Sequence, residues 1–208
     1  ERFISDRQCP TRIPTVVDAG ALCILSELLT GDLSCTPLHV LTPHAGEAAA
    51  LLSALEDQGT PAQETRQWSR ERVEAHQGLA ARELCRLTGA TVLLKGATTL
   101  IAAPQRPLVS VDGGPGWMAS AGSGDVLAGI LGAVLAGATA RWEQGAPDAS
   151  GPASVLDALV DSVAAGVRLH ALAGAYAAAS PQRAEGAGTG GHPIAAPGLA
   201  AAVSSTHL

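Results

Sequence analysis

Residues 122–136 read Gly-Ser-Gly-Asp-Val-Leu-Ala-Gly-Ile-Leu-Gly-Ala-Val-Leu-Ala, and the rest of the chain is organised around this stretch. The glycines on either side of the serine allow a tight turn and a close approach of backbone amides to a ligand. The apolar run predicts a buried helix that begins near Asp125. The unpaired amides and positive dipole end of a helix start attract a phosphate or a developing oxyanion. Asp125 is therefore either a base beside a phosphoryl group or the cap of a core helix.

The composition indicates one domain, residues 1–208, with a core of aliphatic side chains. Hydrophobic residues make up 47% of the chain but aromatic residues only 2%. The 13 Lys and Arg residues against 19 Asp and Glu residues give a net charge of −6 without a basic run, so we expect no nucleic-acid partner. The apolar run of residues 126–138 is shorter than the roughly 20 residues of a bilayer span, so we expect no membrane partner.

The cysteines lack the spacing of a zinc site or of a disulfide framework. They stand at positions 9, 23, 35 and 85, with no Cys-x-x-Cys pair and no accompanying histidine cluster. We therefore expect reduced thiols in a cytoplasmic protein.

Short apolar strands alternate with helices along the chain. Strands are predicted at residues 14–17, 37–41, 91–94, 100–102 and 108–111, and helices at residues 22–29, 48–55, 70–88, from Asp125 onwards and 154–179. Ser69 and Gly89 are the predicted N-cap and stop of the third helix. Loop segments are predicted at residues 141–153 and 180–198. Strands that are apolar throughout are typical of parallel sheets, so we predict an α/β fold with a mostly parallel sheet and helices on both faces.

Polar residues follow three of these strands. Asp18, His44 and Lys95 each come just after a strand, and the carboxyl ends of parallel strands share one edge where ligands bind. We expect all of them to lie on the same edge as Asp125. Simpler roles stay open, because strand-end lysines are commonly solvated and a histidine can cap a helix. Glu47 either organises a hydrated Mg²⁺ through water or is a first-turn helix acid.

The segment after the third strand has the chemistry of a nucleotide site. Lys95 supplies a cation, and Gly96, Thr98 and Thr99 supply an amide and hydroxyl groups. The chain contains no Gly-x-x-x-x-Gly-Lys-Ser/Thr and no Gly-x-Gly-x-x-Gly after a strand. A P-loop enzyme is therefore excluded, and an ordinary dinucleotide-binding unit is unsupported.

Four motifs occur in a fixed order along the chain. Residues 17–19 read Val-Asp-Ala, 41–47 Leu-Thr-Pro-His-Ala-Gly-Glu, 94–99 Leu-Lys-Gly-Ala-Thr-Thr, and 118–129 Met-Ala-Ser-Ala-Gly-Ser-Gly-Asp-Val-Leu-Ala-Gly. Together they resemble the ADP- or ATP-dependent NAD(P)H-hydrate dehydratases of the ribokinase-like superfamily, over residues 14–179. The resemblance implies a ribokinase-like fold and the repair of hydrated NADH and NADPH. In that reaction the nucleotide phosphorylates the 6-hydroxyl of the hydrate, and phosphate then leaves.

The resemblance also implies a role for each matched residue. Asp125 would take the hydroxyl proton and touch the hydrate, which His44 would also contact. The transferred phosphoryl charge would be received by Gly122, Ser123 and Gly124. The site for ADP or ATP would be lined by Lys95, Gly96, Ala97, Thr98, Thr99 and Gly124. Mg²⁺ would accompany the nucleotide, with Glu47 as a contact through water, and we expect a homo-oligomer.

The chain departs from the family pattern in two places. Residues 113–117 read Gly-Gly-Pro-Gly-Trp where an Asn-Pro turn is usual, so a side-chain contact from this turn is not implied. Only residues 1–13 precede the first strand, where the family has a longer segment with a glycine-rich loop that contacts the hydrate. We therefore expect an N-terminally incomplete domain that is poorly stable and nearly inactive alone, because an edge strand and apolar surface would be exposed.

Two other functions stay open. A small-molecule kinase of the same superfamily, of the hydroxymethylpyrimidine type, would typically carry Thr-Pro-Asn-x-x-Glu, whereas His44 occupies the position of the asparagine here. The second alternative is a truncated chain that binds nucleotide without turnover.

Overall fold

The computed structural model describes residues 13–29, 34–56, 68–144, 152–179 and 194–204. The strands are β1 (Thr15–Val17), β2 (His39–Leu41), β3 (Thr91–Leu94), β4 (Thr98–Ala102) and β5 (Val109–Asp112). The helices are α1 (Gly20–Leu29), α2 (Ala45–Glu56), α3 (Arg70–Ala75), α4 (Gln77–Thr88), α5 (Ser123–Glu143), α6 (Pro152–Ala179) and α7 (Ala196–Val203). A short 3₁₀ helix, Gly116–Met118, precedes α5.

The strands form one mixed sheet in the order β1-β2-β3-β4-β5. The first three strands pair in parallel, and β4 and β5 add to the sheet as antiparallel strands. The reason is the length of the connections, because residues 95–97 and 103–108 are too short for the crossover that a parallel pair requires. The parallel part of the sheet therefore ends at β3, and its carboxyl edge belongs to β1, β2 and β3.

Helices cover both faces of the sheet, as predicted. Strand side chains alternate between the faces, so neighbours such as Val40 and Leu41 enter different cores. Leu41, Val92 and Leu94 pack with α1, α2, α3 and α4. The opposite face, with Val40, Leu93 and Ile101, packs with α5 and α6. The apolar strands are thus buried on both sides by separate helical layers.

Several predicted helix boundaries were wrong. The predicted helix after Ser69 is two helices, because the backbone of His76 (φ −132°, ψ 46°) breaks it between α3 and α4. Its caps are confirmed, since Ser69 Oγ accepts a hydrogen bond from the Arg72 amide at 3.2 Å and Gly89 has φ 73°. Helix α2 begins at Ala45, three residues earlier than predicted, because His44 and Glu47 cap it.

The predicted loops are shorter than expected. Helix α5 continues to Glu143 and α6 begins at Pro152, both inside residues 141–153. Helix α7 begins at Ala196, inside residues 180–198. Residues 145–151 and 180–193 of these loops lie outside the described residues, as do residues 1–12 with Cys9 and the connection at residues 57–67.

Helix α5 carries most of the stretch at residues 122–136 and is long and apolar. Within the described residues it is the one helix long and apolar enough to cross a membrane by length and composition. Its Leu127, Leu131 and Leu135 are buried against the sheet and α6. Core packing therefore accounts for the apolar composition of this side of the helix.

Candidate active site

Asp18, His44 and Lys95 lie together at the carboxyl edge of β1, β2 and β3, as predicted. The Lys95 ammonium nitrogen is 2.8 Å from Asp18 Oδ1, which also accepts a hydrogen bond from Thr42 Oγ1 at 2.7 Å. The Lys95 amide donates to the Pro43 carbonyl at 2.8 Å, so the segment after β3 is tied to the segment after β2. The three strand ends thus form one polar cluster around the Lys95 ammonium.

The Asp18 carboxyl is ionised by its partners. Burial raises the pKa of Asp18, but the hydrogen bonds from Lys95 and Thr42 outweigh burial, and the pKa lies below its ordinary value of 3.8. An ionised Asp18 holds the Lys95 ammonium in place. Asp18 therefore positions the Lys95 ammonium, a role that could not be predicted from its place after a strand.

We expect Asp18→Asn to destabilise the protein at neutral pH and to cost less in acid. A carboxyl with a lowered folded-state pKa contributes stability above its unfolded pKa, near 3.8, and loses that contribution as the pH falls through the folded pKa. Denaturant unfolding of both proteins from neutral to acid pH measures the difference. Asp161→Asn, at an exposed position on α6, controls for the loss of one negative charge. A difference between Asp18→Asn and wild type that does not shrink in acid would contradict the assignment.

His44 and Glu47 cap α2 reciprocally. His44 Nδ1 accepts hydrogen bonds from the amides of Gly46 and Glu47 at 3.0 and 3.1 Å, while Glu47 Oε2 accepts from the His44 amide at 2.8 Å. This is the arrangement of a capping box, with an imidazole in place of the usual hydroxyl. His44 therefore caps the helix and also lies at the edge of the site, so the two roles considered from the sequence do not exclude each other.

The capping bonds define which nitrogen of His44 can act on a ligand. Because Nδ1 accepts two amide hydrogen bonds, the ring proton of the neutral imidazole resides on Nε2. The His44 side chain is 61% exposed, so its Nε2–H is open to a ligand at the edge. The space above Gly46 is filled by the His44 ring, since an added Cβ would lie 3.1 Å from Cε1. Gly46 thus makes room for the imidazole.

The start of α5 presents backbone amides and a carboxylate. Gly122 has φ 85°, and a Cβ there would lie 2.8 Å from the Ala196 Cβ of α7, so both conformation and space require glycine. The Ser123 amide donates to the Ser120 carbonyl at 3.2 Å. The amides of Gly124 and Asp125 lie in the first turn, where the helix itself offers no acceptor. The Asp125 side chain is exposed beside them.

The Lys95 ammonium lies against this first turn. A Cβ added to Gly124 would be 3.4 Å from Lys95 Nζ, which places the ammonium in van der Waals contact with this turn. Glu47 Oε2 is 3.9 Å from the same nitrogen. A cation and two helix-start amides therefore converge beside the Asp125 carboxylate, which is a suitable environment for a phosphoryl group.

The predicted nucleotide segment divides into exposed and buried parts. Gly96, Ala97 and Thr98 are exposed, whereas Thr99 is 4% exposed and lies within β4. The exposed part is bordered by Gln77, whose side-chain nitrogen would be 3.1 Å from a Cβ on Gly96. The residues that a ligand can reach directly are thus Lys95 to Thr98.

Two contacts at the site were missed by the sequence interpretation. His170 of α6 is buried beneath the start of α5, where its Nε2 is 3.0 Å from the Ser123 carbonyl oxygen. Gln77 borders the nucleotide segment because α4 begins there. A single histidine within the long apolar run of α6 was the available signal for His170, whereas nothing in the sequence marked Gln77.

Comparison with solved structures defines the fold class. A ribokinase-like superfamily protein from Enterococcus faecalis matches with a TM-score of 0.55 and 23% identity, over 91% of this chain and 50% of its own. An ADP/ATP-dependent NAD(P)H-hydrate dehydratase from Bacillus subtilis, co-crystallised with ATP/Mg²⁺, matches with a TM-score of 0.55 and 20% identity, over 92% and 55%. The chain has a ribokinase-like fold.

The sequence comparisons identify the family. A family model described as NAD(P)H-hydrate dehydratase matches residues 2–187, and the chain belongs to this family. An ADP-dependent (S)-NAD(P)H-hydrate dehydratase from Neisseria meningitidis is 38% identical over 170 residues, which are 80% of this chain and 52% of the relative. A bifunctional NAD(P)H-hydrate repair enzyme from Mycobacterium tuberculosis is 42% identical over 129 residues, 61% of this chain and 23% of the relative. The chain thus spans about half the length of the first relative.

Proposed function

We propose that this protein dehydrates hydrated NADH and NADPH to NADH and NADPH in a nucleotide-dependent reaction. The observation that carries the proposal is the position of the Lys95 ammonium, which Asp18 holds at 2.8 Å and which lies against Gly124 beside Asp125. A cation, helix-start amides and a carboxylate together suit the transfer of a phosphoryl group to a hydroxyl. Membership of the NAD(P)H-hydrate dehydratase family supports the choice of substrate.

In the proposed reaction Asp125 takes the proton of the 6-hydroxyl of the hydrate. The hydroxyl oxygen attacks the terminal phosphorus of the nucleotide, and the shortened nucleotide leaves with the electron pair of the broken P–O bond. The carbon–oxygen bond then breaks, phosphate departs with that electron pair, and loss of a proton from the neighbouring carbon restores the ring double bond. Lys95 and the amides of Gly124 and Asp125 stabilise the charge on the transferred group. His44 Nε2–H orients the hydrate.

The nucleotide lies along the exposed segment from Lys95 to Thr98, with its phosphates toward Gly124. The name of the Neisseria meningitidis relative supports ADP as the phosphoryl donor. Among the described residues no group of three or more His, Cys, Asp or Glu side chains could hold a metal ion directly. The donors present fit a hydrated Mg²⁺ that the nucleotide phosphates carry, with Glu47 as a contact through water.

We propose a cytoplasmic location for this activity. Nicotinamide dinucleotides and adenine nucleotides are its reactants, and Cys35 and Cys85 are reduced thiols, which supports a reducing compartment. Burial raises the pKa of the Cys35 thiol to about 11, so this thiol stays protonated and unreactive at neutral pH. The homo-oligomer expected from the sequence stays a prediction.

One assay tests the proposed function. The protein is incubated with NADH hydrate and either ADP or ATP, and the absorbance of the restored dihydronicotinamide is followed. Hydroxymethylpyrimidine with ATP serves as the parallel substrate, because a kinase would consume ATP in that mixture alone. Recovery of NADH that depends on the nucleotide supports the proposal, whereas turnover of hydroxymethylpyrimidine without recovery of NADH would overturn it.

We expect Lys95→Ala and His44→Ala to separate two subsites. Lys95→Ala should weaken the binding of adenine nucleotide more than that of the hydrate, since it removes the cation beside Gly124. His44→Ala should weaken hydrate binding more, since it removes the exposed Nε2–H donor. Calorimetric titration of each variant with each ligand measures both affinities. Equal losses for both ligands in both variants would contradict the division.

A further inference from the structure

A buried histidine contacts the first residue of α5 from below. His170 of α6 is 7% exposed, and its Nε2 lies 3.0 Å from the Ser123 carbonyl oxygen and 3.4 Å from Ser123 Oγ. Ser123 is itself 8% exposed, so this contact is closed to solvent. The reaction proposed above does not use His170.

The direction of this hydrogen bond follows from the acceptor. A carbonyl oxygen can only accept, so His170 Nε2 carries the ring proton and donates it to Ser123 O. Burial lowers the pKa of His170, and the hydrogen bond to the Ser123 carbonyl opposes burial only in part. The neutral imidazole with its proton on Nε2 is therefore the form that α6 presents to α5.

The Ser123 carbonyl and the Gly124 amide belong to one peptide group. That group is planar, so a donor that holds its oxygen also sets the direction in which the Gly124 N–H points. The Gly124 N–H is one of the first-turn amides. The Lys95 ammonium lies against the same residue, 3.4 Å from the position that a Cβ on Gly124 would take. His170 thus acts on the very peptide that faces the proposed phosphoryl position.

Helix α6 is packed tightly against α5, which holds His170 in a fixed position. The two helices pack closely at Gly166, where an added Cβ would lie 2.8 Å from Leu131 Cδ2 of α5. Val163 and Val167 of α6 are buried in the same core as Leu131. Because densely packed interiors resist displacement, α6 can transmit the position of His170 to the first turn of α5.

We propose that His170 is a positioning residue that aims the Gly124 amide at the transferred phosphoryl group. The proposal rests on the proposed function. It makes the amide a preorganised donor, and such donors stabilise charge in a transition state without reorganising at the moment of reaction. His170 touches neither substrate, so its removal should act on kcat more than on the KM for the hydrate.

The test compares His170→Leu, which removes the donor, with His170→Gln, whose side-chain NH₂ can reach the same oxygen. His170→Leu should lower kcat about tenfold and leave the KM for hydrate within about twofold, and His170→Gln should recover most of kcat. His39→Leu is the matched control. His39 is equally buried at 8%, but its Nδ1 accepts from the Thr36 amide in the segment before β2, and that variant should keep its kcat.

The amide resonance of Gly124 gives a readout that does not need turnover. On titration with ADP it should shift in wild type and in His170→Gln, and shift less in His170→Leu. A folded His170→Leu protein with wild-type kcat and a wild-type Gly124 response overturns the proposal. A folded His170→Gln variant that recovers none of the kcat lost in His170→Leu also overturns it. If His170→Leu does not fold, His170→Gln is compared with wild type instead, and a folded His170→Gln variant that loses about tenfold or more of kcat overturns the proposal. Absence of hydrate turnover in wild type would instead reject the proposed function, and the Gly124 response would still decide the role of His170.

Discussion

Asp125→Asn is expected to lower turnover of the hydrate about a hundredfold or more, with little change in nucleotide affinity. The asparagine amide preserves the size of the side chain at the start of α5 but cannot accept a proton from the substrate hydroxyl. The Asp125 side chain is exposed, so no buried partner is lost. Steady-state turnover and calorimetric titration with ADP, measured on the same preparation, separate the two effects.

The control for this variant is Asp161→Asn. Asp161 is an exposed aspartate on α6, so its replacement changes the net charge by the same amount away from the site. Nearly unchanged turnover in Asp125→Asn would remove Asp125 from the role of base. Equal losses of turnover in both variants would attribute the effect to overall charge.

The parallel part of the fold was predictable because its signals are local. Apolar strands that alternate with helices favour parallel crossovers, so β1, β2 and β3 and their shared carboxyl edge were expected from the sequence. Placing Asp18, His44 and Lys95 at that edge required no knowledge of side-chain contacts. The prediction of a ribokinase-like fold needed a further observation, the order of four motifs along the chain.

The pairing of side chains within the site was not predictable in the same way. Asp18 and Lys95 are 77 residues apart in the chain. Their side-chain atoms lie 2.8 Å apart because β1 and β3 end at nearby positions along the sheet. The alternation of side chains along a strand was a usable signal, because the side chains of consecutive residues such as Thr98 and Thr99 point to opposite faces of the sheet. One of these two hydroxyls therefore had to be turned away from a ligand, and the structure buries Thr99.

Contacts between helices could not be predicted from the sequence. The position of His170 beneath Ser123 depends on the rotation of α6 about its axis and on its distance from α5. An Ala-rich helix leaves that rotation weakly marked, because small apolar residues surround it on several sides. The His44 cap is different, since its spacing to Glu47 matches a capping box and was readable from the chain.

The turn after β5 places the unusual Gly-Gly-Pro-Gly stretch against the nucleotide segment. The Gly113 amide donates to the Ala97 carbonyl at 3.0 Å. A Cβ on Gly113 would lie 2.5 Å from the Gly96 oxygen and 2.7 Å from the Ala97 oxygen. Both are backbone atoms, which cannot rotate away as the end of a side chain can. The glycine therefore contributes space for two carbonyl groups in place of a side-chain contact.

Gly113→Ala is accordingly expected to displace the Gly96–Ala97 backbone, weakening nucleotide binding at least about tenfold and lowering the free energy of unfolding by about 2 kcal/mol or more. For a domain of this size such a loss corresponds to a fall in Tm of about 5 °C. Thermal unfolding and titration with ADP measure the two effects. Gly116→Ala is the matched control, because a Cβ at Gly116 meets nothing within 4 Å. If Gly113→Ala behaves like Gly116→Ala in both measurements, the packing of this turn does not shape the nucleotide segment.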